Sequence, residues 1–114
     1  MPPTLADRLV HILTAIETIE TMMAGKTFDA FHADLPLRFG VERALEIICE
    51  ASRRLPDDVK GRGREIDWPR MANFGNMLRH AYHRTDPQIV FGIVSRDLPP
   101  LKAFVAEMMR QADE

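Results

Sequence analysis

The spacing of apolar residues near the start of the chain constrains its fold more than any other feature. Six of them recur at intervals of four, three, four, three and four residues, namely Leu5, Leu9, Ile12, Ile16, Ile19 and Met23. These intervals place the six side chains on one side of an α-helix and do not fit the two-residue alternation of a strand. Thr4 can cap the start of this helix, Asp7 suits the positive end of its dipole, and Gly25 can end it.

A repeated pattern of aspartate followed closely by proline predicts where the later helices begin. The pairs are Asp34 with Pro36, Asp67 with Pro69, Asp86 with Pro87, and Asp97 with Pro99. An aspartate caps the free N–H groups of a first helical turn, and proline is tolerated there because its missing N–H would have had no partner. Each pair therefore predicts the start of a helix.

The connections between these helices complete the predicted architecture. A short turn is expected around residues 27–31, and residues 56–67, with Gly61, Gly63 and alternating charges, predict an exposed and mobile loop. No alternating apolar run bounded by turns indicates a strand. The sequence thus predicts an all-α fold, an up-and-down helical bundle of about five helices, in one domain spanning residues 1–114.

Length and composition limit the classes of protein to which the chain can belong. Its 114 residues, 46% of them hydrophobic, suffice for one core. No apolar run reaches the roughly 18 to 20 residues of a membrane span, and the first residues lack the order of a signal peptide, so we expect a cytoplasmic protein that does not enter a membrane. The single cysteine, Cys49, lies in an apolar helical pattern, which favours packing over chemistry.

Charge is distributed unevenly along the chain. The formal net charge is -2, yet residues 51–84 contain eight Lys or Arg against four Asp or Glu, a local net charge of +4. A basic segment on an otherwise acidic protein can bind phosphate without making the whole surface bind nucleic acid non-specifically. From charge alone, a solvated basic loop explains the pattern equally well.

The helix predicted after Asp67 has an unusual polar side. At 100° per residue, Met71, Phe74, Leu78 and Tyr82 share the core side, and His80 lies about 180° from Met71. The residues near His80 on this wheel are polar and are neither Lys nor Glu: Asn73, Asn76, His83 and Arg84. Asn and His are poorer helix formers than Lys and Glu, so their use indicates a site or an interface, with plain polar surface as the alternative. No Asp, Glu or Cys shares this face, and we predict no metal site there.

The segment EIDWPRMANFGNMLRHAYHRTD, residues 65–86, together with the Asp-Leu-Pro-Pro-Leu of residues 97–101, resembles the HepT-like branch of the HEPN superfamily. The resemblance extends over nearly the whole chain. It implies a small helical bundle, usually a homodimer, encoded beside a minimal nucleotidyltransferase with which it forms a toxin and antitoxin pair. Many members are metal-independent endoribonucleases, so the resemblance implies RNA as substrate and no cofactor.

The family signature is Arg, four residues, His, one residue and Tyr, often with Asn directly after the Arg. Asn76, His80 and Tyr82 match this signature, but Gly75 occupies the arginine position. The resemblance implies that His80 transfers protons in RNA cleavage and that Tyr82 is the residue adenylylated by the partner nucleotidyltransferase. Arg79 is the candidate substitute for the missing arginine.

The remaining polar residues receive supporting roles under this resemblance. We expect Arg84 to contact phosphate, Asn76 to orient the His80 imidazole, and Asn73 and His83 to support the site.

Three hypotheses follow for the function of the chain. The first is a toxin that cleaves RNA and is regulated by adenylylation of Tyr82. The second, motivated by Gly75, is a catalytically weak protein that serves as binding partner and modification substrate of the nucleotidyltransferase. The third is a helical interaction module without phosphate chemistry, motivated by the acidic remainder of the chain.

Overall fold

The computed structural model describes residues 1–80 and 85–112 of the chain. Within these ranges it consists of helices joined by short turns and has no strand. The helices are α1 (Leu5–Met23), α2 (Phe28–Ala33), α3 (Leu35–Arg53), α4 (Asp57–Lys60), α5 (Trp68–His80), α6 (Pro87–Gly92), a π-helical segment (Ile93–Asp97) and α7 (Leu98–Ala112). The predicted all-α bundle is confirmed, with more helical segments than the five expected.

Helix α1 begins and ends where the sequence predicts. The Thr4 hydroxyl accepts a hydrogen bond from the Asp7 N–H at 3.1 Å, and the Asp7 carboxylate accepts one from the Thr4 N–H at 2.9 Å. This reciprocal capping box satisfies two N–H groups that a helix start otherwise leaves without partners. Gly25, just beyond the end, adopts φ 71, a left-handed conformation that glycine tolerates best.

Two short helices occupy segments for which a turn and a loop were predicted. Thr27 caps α2 by accepting a hydrogen bond from the Ala30 N–H at 3.1 Å. Helix α4 buries Val59, and the Trp68 indole donates a hydrogen bond to the Lys60 carbonyl at 2.9 Å. The predicted mobile loop is therefore fixed to the body of the protein, because Val59 reaches the core and the Lys60 carbonyl binds the Trp68 indole.

The aspartates predicted as caps behave differently at the end of the chain. Asp34, Asp67 and Asp86 each accept a hydrogen bond from a backbone N–H in the first turn of the next helix. Asp97 does not begin a new helix, because α6, the π-helical segment and α7 form one continuous helical run.

Pro99 and Pro100 explain why the π-helical segment lies just before them. A proline removes one N–H and its ring clashes with the carbonyl four residues earlier. The Leu98 N–H instead donates to the Ile93 carbonyl, five residues back, which widens the helix at this point. The two prolines thus widen the helix without ending it, and the predicted break at Asp97 is wrong for this reason.

The four long helices enclose a common core. Helix α1 packs against α3 and α7, and α3 packs against α5. The largest side chains with under 2% exposure come from several helices, among them Ile12, Ile19, Leu45, Ile48, Leu101 and Val105. None of the described helices is both long and apolar enough to cross a membrane.

Candidate active site

Helix α5 separates a buried side from an exposed polar side, as the sequence predicts. Met71, Phe74 and Leu78 are at most 6% exposed. The four predicted site residues within α5 lie exposed on the remaining surface: Asn73, Asn76, Arg79 and His80. Three others, Tyr82, His83 and Arg84, lie outside the described residues. The structure therefore brings the histidine of the signature to the surface at the end of α5.

The Arg79 side chain is held at the junction of α5 and α3. Its Nη2 donates a hydrogen bond to the Asn76 Oδ1, and its Nη1 lies 3.5 Å from a carboxylate oxygen of Glu50 on α3. The arginine side chain remains 40% exposed, so its guanidinium is oriented and still accessible. The Asn76 oxygen thus accepts a hydrogen bond from Arg79, and its amide nitrogen is a donor for the predicted contact with His80.

Glu50 is a member of this site that sequence reasoning missed. Its carboxylate also accepts hydrogen bonds from the Arg54 Nε at 2.8 Å and the Arg53 Nη2 at 3.2 Å. These bonds, with Arg54 contributing most, lower the pKa of Glu50 below its ordinary value. Spacings of three and four residues predict the pairs within α3, but only the packing of α5 on α3 places Arg79 beside the same carboxylate.

The Glu50 cluster, which comprises Glu50, Arg53, Arg54 and Arg79, carries a net positive charge. It holds three guanidinium groups and one carboxylate. Part of the +4 charge expected for residues 51–84 is therefore concentrated where the end of α5 meets α3, and it can attract a phosphate there.

Gly75 marks the closest approach of α5 to α3. It is buried, and a Cβ built at this position would lie 2.8 Å from the Cβ of Cys49. Real Cβ atoms essentially never approach so closely, so any larger residue requires the two helices to separate. The glycine at the arginine position of the signature thus has a packing cause, and Cys49 is the residue that imposes it.

Cys49 itself has the properties of a core residue. Burial, with a smaller contribution from Asp97, raises the pKa of its thiol to about 12. A thiol with such a pKa is protonated near neutral pH and is a poor nucleophile. This is the role predicted from its apolar surroundings.

Asn73 lies apart from the contacts of Arg79. It lines a groove between α5 and α6 with a volume of about 600 Å³. In the part of the chain that the structure describes, no three His, Cys, Asp or Glu side chains are grouped so that they could hold a metal ion.

Comparison with known proteins gives the family of the chain. The family described as "Ribonuclease HepT-like" matches residues 12–108. The chain belongs to this family. No solved structure is significantly similar to it.

Three relatives illustrate how the HepT-like chain compares with individual proteins. It is 42% identical to "Probable ribonuclease HepT" of Thermococcus cleftensis over 96 residues, which cover 84% of this chain and 87% of the relative. It is 28% identical to a "Putative RNase" of Caldanaerobacter subterraneus over 90% of this chain and 92% of the relative.

One matching protein of Methanocaldococcus jannaschii is larger than this chain. It is named "Gamma-glutamylcyclotransferase and putative RNase", and the HepT-like chain is 33% identical to it over 106 residues, 93% of this chain but 48% of the relative. The matched region therefore also occurs as one part of a longer protein.

Proposed function

We propose that this HepT-like chain is a metal-independent endoribonuclease in which His80 transfers protons and Arg79 contacts the scissile phosphate. The observation that carries the proposal is the position of Arg79. Arg79 lies one helical turn after Gly75. Its guanidinium reaches Glu50 on α3, and Gly75 packs against Cys49 of the same helix. Arg79 can therefore present a guanidinium near the position that the family signature gives to its arginine.

The proposed reaction is the attack of a ribose 2′-hydroxyl on the adjacent phosphorus. A base removes the hydroxyl proton, the oxygen forms a bond to phosphorus, and the bond from phosphorus to the 5′-oxygen breaks as an acid protonates that oxygen. The products are a 2′,3′-cyclic phosphate and a 5′-hydroxyl. Histidine can take either role because its ordinary pKa lies near neutrality.

Arg79 is suited to stabilise the charge that develops on the phosphate oxygens. A guanidinium offers several donors in a rigid plane, and its charge does not depend on pH in the ordinary range. Asn76 and Glu50 fix its position before substrate arrives, which lowers the cost of orienting it during the reaction. We assign Arg84 a second phosphate contact and His83 a supporting role, on the family resemblance.

An RNA cleavage assay with purified variants tests this proposal. We expect His80→Ala and Arg79→Ala each to lower the single-turnover rate by about 100-fold or more, the usual loss of a proton-transferring or charge-stabilising group. Arg79→Lys should recover only part of the rate, because lysine keeps the charge and loses the planar donors.

The matched control is Arg110→Ala, which removes the same charge from α7. Its rate should equal that of the natural chain. Equal rates for the natural chain and His80→Ala would contradict the proposal, since cleavage would then come from a contaminant or from other residues.

We further propose that the chain is the toxin of a cytoplasmic toxin and antitoxin pair, controlled by adenylylation of Tyr82. An adenylyl group would add bulk and negative charge two residues after His80 and would repel RNA phosphate. Co-expression with the neighbouring minimal nucleotidyltransferase, followed by intact-mass measurement, should give a chain heavier by one or more adenylyl groups. Tyr82→Phe should stay unmodified, and an unmodified natural chain would count against the regulation.

A second function, a weak or inactive partner of the nucleotidyltransferase, is favoured by the tight packing at Gly75. In that case the natural chain would bind and be modified by the transferase, and the His80→Ala variant would be indistinguishable from it in the cleavage assay. Measuring both properties on one preparation separates the two functions.

The proposed enzyme acts as a homodimer. A single exposed histidine offers one proton-transfer group, whereas two copies with adjacent α5 helices would supply a base and an acid. The exposed Asn76 and His80 offer hydrogen bonds that such an interface can use. Sedimentation of the purified chain should give the mass of two copies, and a monomer across the assay concentrations would contradict this part of the proposal.

A further inference from the structure

A groove beside α5 has the mixed lining that single-stranded RNA requires. It lies between α5 on one side and α6 with the π-helical segment on the other, and its volume is about 600 Å³. Cationic, amide and apolar side chains line it, among them Arg70, Arg96, Asn73, Gln88, Met77 and Ile89. Guanidinium groups bind phosphate, amides bind the edges of bases, and apolar side chains pack against base and ribose faces.

The apolar part of the groove is open to a ligand. Ile89 is 45% exposed, so its aliphatic side chain is accessible from solvent. A Cβ built at Gly92, one turn further along α6, meets no atom within 4 Å. Helix α6 therefore places no side chain at this point, which leaves space in the groove beside Ile89.

Two residues of the groove share a stripe of α5 with His80 of the candidate active site. Asn73, Met77 and His80 occur at intervals of four and three residues, so they follow one stripe of α5. Asn73 and Met77 line the groove, and His80 lies about 10 Å beyond Asn73 along the helix axis. A short stretch of extended RNA spans this distance.

The charges in the groove identify the residue that would meet a phosphate. Arg70 donates a hydrogen bond from its Nε to Asp97 at 2.9 Å, so part of its charge is already compensated. The Asp86 carboxylate, also in the lining, accepts a hydrogen bond from the Gln88 N–H at 2.9 Å as the cap of α6. Arg96 is exposed on the π-helical segment and is the cation best placed to bind a phosphate.

We propose that this groove is a binding subsite for the single-stranded RNA that flanks the scissile phosphate. Arg96 contacts a backbone phosphate, the amides of Asn73 and Gln88 face a base, and Met77 with Ile89 support the ring. The inference rests on the proposed ribonuclease function for the position of the scissile bond, and it adds the residues that would select the sequence to be cut.

Filling the groove is the most direct test. Gly92→Leu places a side chain in open space, so the variant should fold, as its melting temperature will verify. Binding is measured with a short, random-sequence 2′-O-methyl RNA, which lacks the attacking hydroxyl. We expect the affinity of Gly92→Leu to fall by about 10-fold or more, and an unchanged affinity would overturn the proposal.

Salt dependence separates a phosphate contact from general charge attraction. Loss of one phosphate contact to a single strand should reduce the slope of log affinity against log salt by about 0.7. We expect this for Arg96→Ala and not for Arg110→Ala, which removes the same charge about 20 Å further along the helical run. Equal changes in the two variants would contradict a specific contact.

The amide variants test base recognition. Asn73→Ala and Gln88→Ala should leave the salt slope unchanged and should alter which sequences are recovered when the RNA pool is selected on the protein. Identical recovered sequences for the natural chain and both variants would contradict the assigned role of the amides.

These measurements distinguish failure of the subsite from failure of the enzyme. If the natural chain cleaves RNA, and Gly92→Leu binds and cleaves RNA equally well, the ribonuclease proposal is supported and the subsite proposal is wrong. If the natural chain binds RNA without cleaving it, and Gly92→Leu and Arg96→Ala each lower the affinity, the RNA subsite is supported and the proposed chemistry is wrong.

Discussion

Gly75 shows how a single residue links packing to catalysis in this chain. Because Gly75 has no side chain, α5 can approach α3 very closely. A Cβ built on Gly75 would lie 2.8 Å from the Cβ of Cys49. The same close approach places Arg79, one turn later, beside Glu50. We infer that the glycine removes the usual arginine and also positions its replacement.

Gly75→Ala should therefore be destabilising in spite of the better helix propensity of alanine. Overpacking costs about 1 to 3 kcal/mol, against a propensity gain of about 1 kcal/mol, so we expect a net loss of up to about 2 kcal/mol in the free energy of unfolding. Denaturant unfolding measures this loss. Gly75→Arg should lose more, because its side chain is far larger.

A double-mutant cycle with Cys49→Gly provides the control for this prediction. Removing the Cβ of Cys49 should abolish the penalty of Gly75→Ala, giving a favourable coupling of about 1 kcal/mol or more between the two substitutions. Additive effects would mean that the two residues do not restrict each other.

The thiol of Cys49 should be protected in the folded protein. Because its pKa is raised to about 12 and its side chain is buried, iodoacetamide at pH 8 should modify it only after unfolding. A raised pKa favours the protonated form in the folded state, so this group's stabilising contribution is present below pH 9 and is lost as the pH rises from 9 to about 12.

Cys49→Ala serves as the reference for the pH effect. Its free energy of unfolding should decline less steeply above pH 9 than that of the natural chain. Rapid modification of the natural protein under native conditions would show that the thiol is accessible and would contradict the buried position.

At the scale of the helices, local signals were predictable and signals that depend on packing were not. The start of α1 followed from Thr4 and Asp7 because both partners of a capping box lie within one turn. The continuous run through the π-helical segment did not follow from Asp97 and Pro99. The same residues can begin a helix or lie within one that widens, as this one does where the Leu98 N–H donates to the Ile93 carbonyl.

The capping box of α1 makes a prediction at this scale. Thr4→Ala should lower the free energy of unfolding by about 1 kcal/mol, because the Asp7 N–H loses its partner at an exposed helix start. Thr4→Ser should retain nearly all of the stability. Thermal or denaturant unfolding distinguishes the two, and equal losses would show that the hydroxyl is not the stabilising group.

At the scale of the whole molecule, the sequence indicated which helix carries the site but not its full membership. The polar face of α5 could be derived from a helical wheel, because the core side of a helix is defined by its own residues. Glu50 could not be assigned, since it lies 29 positions before Arg79 and only the packing of α3 on α5 brings the two together. The groove required the placement of α6 as well.

The chemistry of the cleavage products tests the central claim, that His80 and Arg79 promote attack by the RNA's own 2′-hydroxyl. The natural chain, in the presence of a chelator, is incubated with an RNA and with its fully 2′-O-methylated counterpart, and the ends of the products are identified by mass spectrometry. We predict 2′,3′-cyclic phosphate and 5′-hydroxyl ends from the RNA, no cleavage of the methylated strand, and a loss of about 100-fold or more with His80→Ala. Cleavage of the methylated strand, or products bearing 5′-phosphates, would contradict the account.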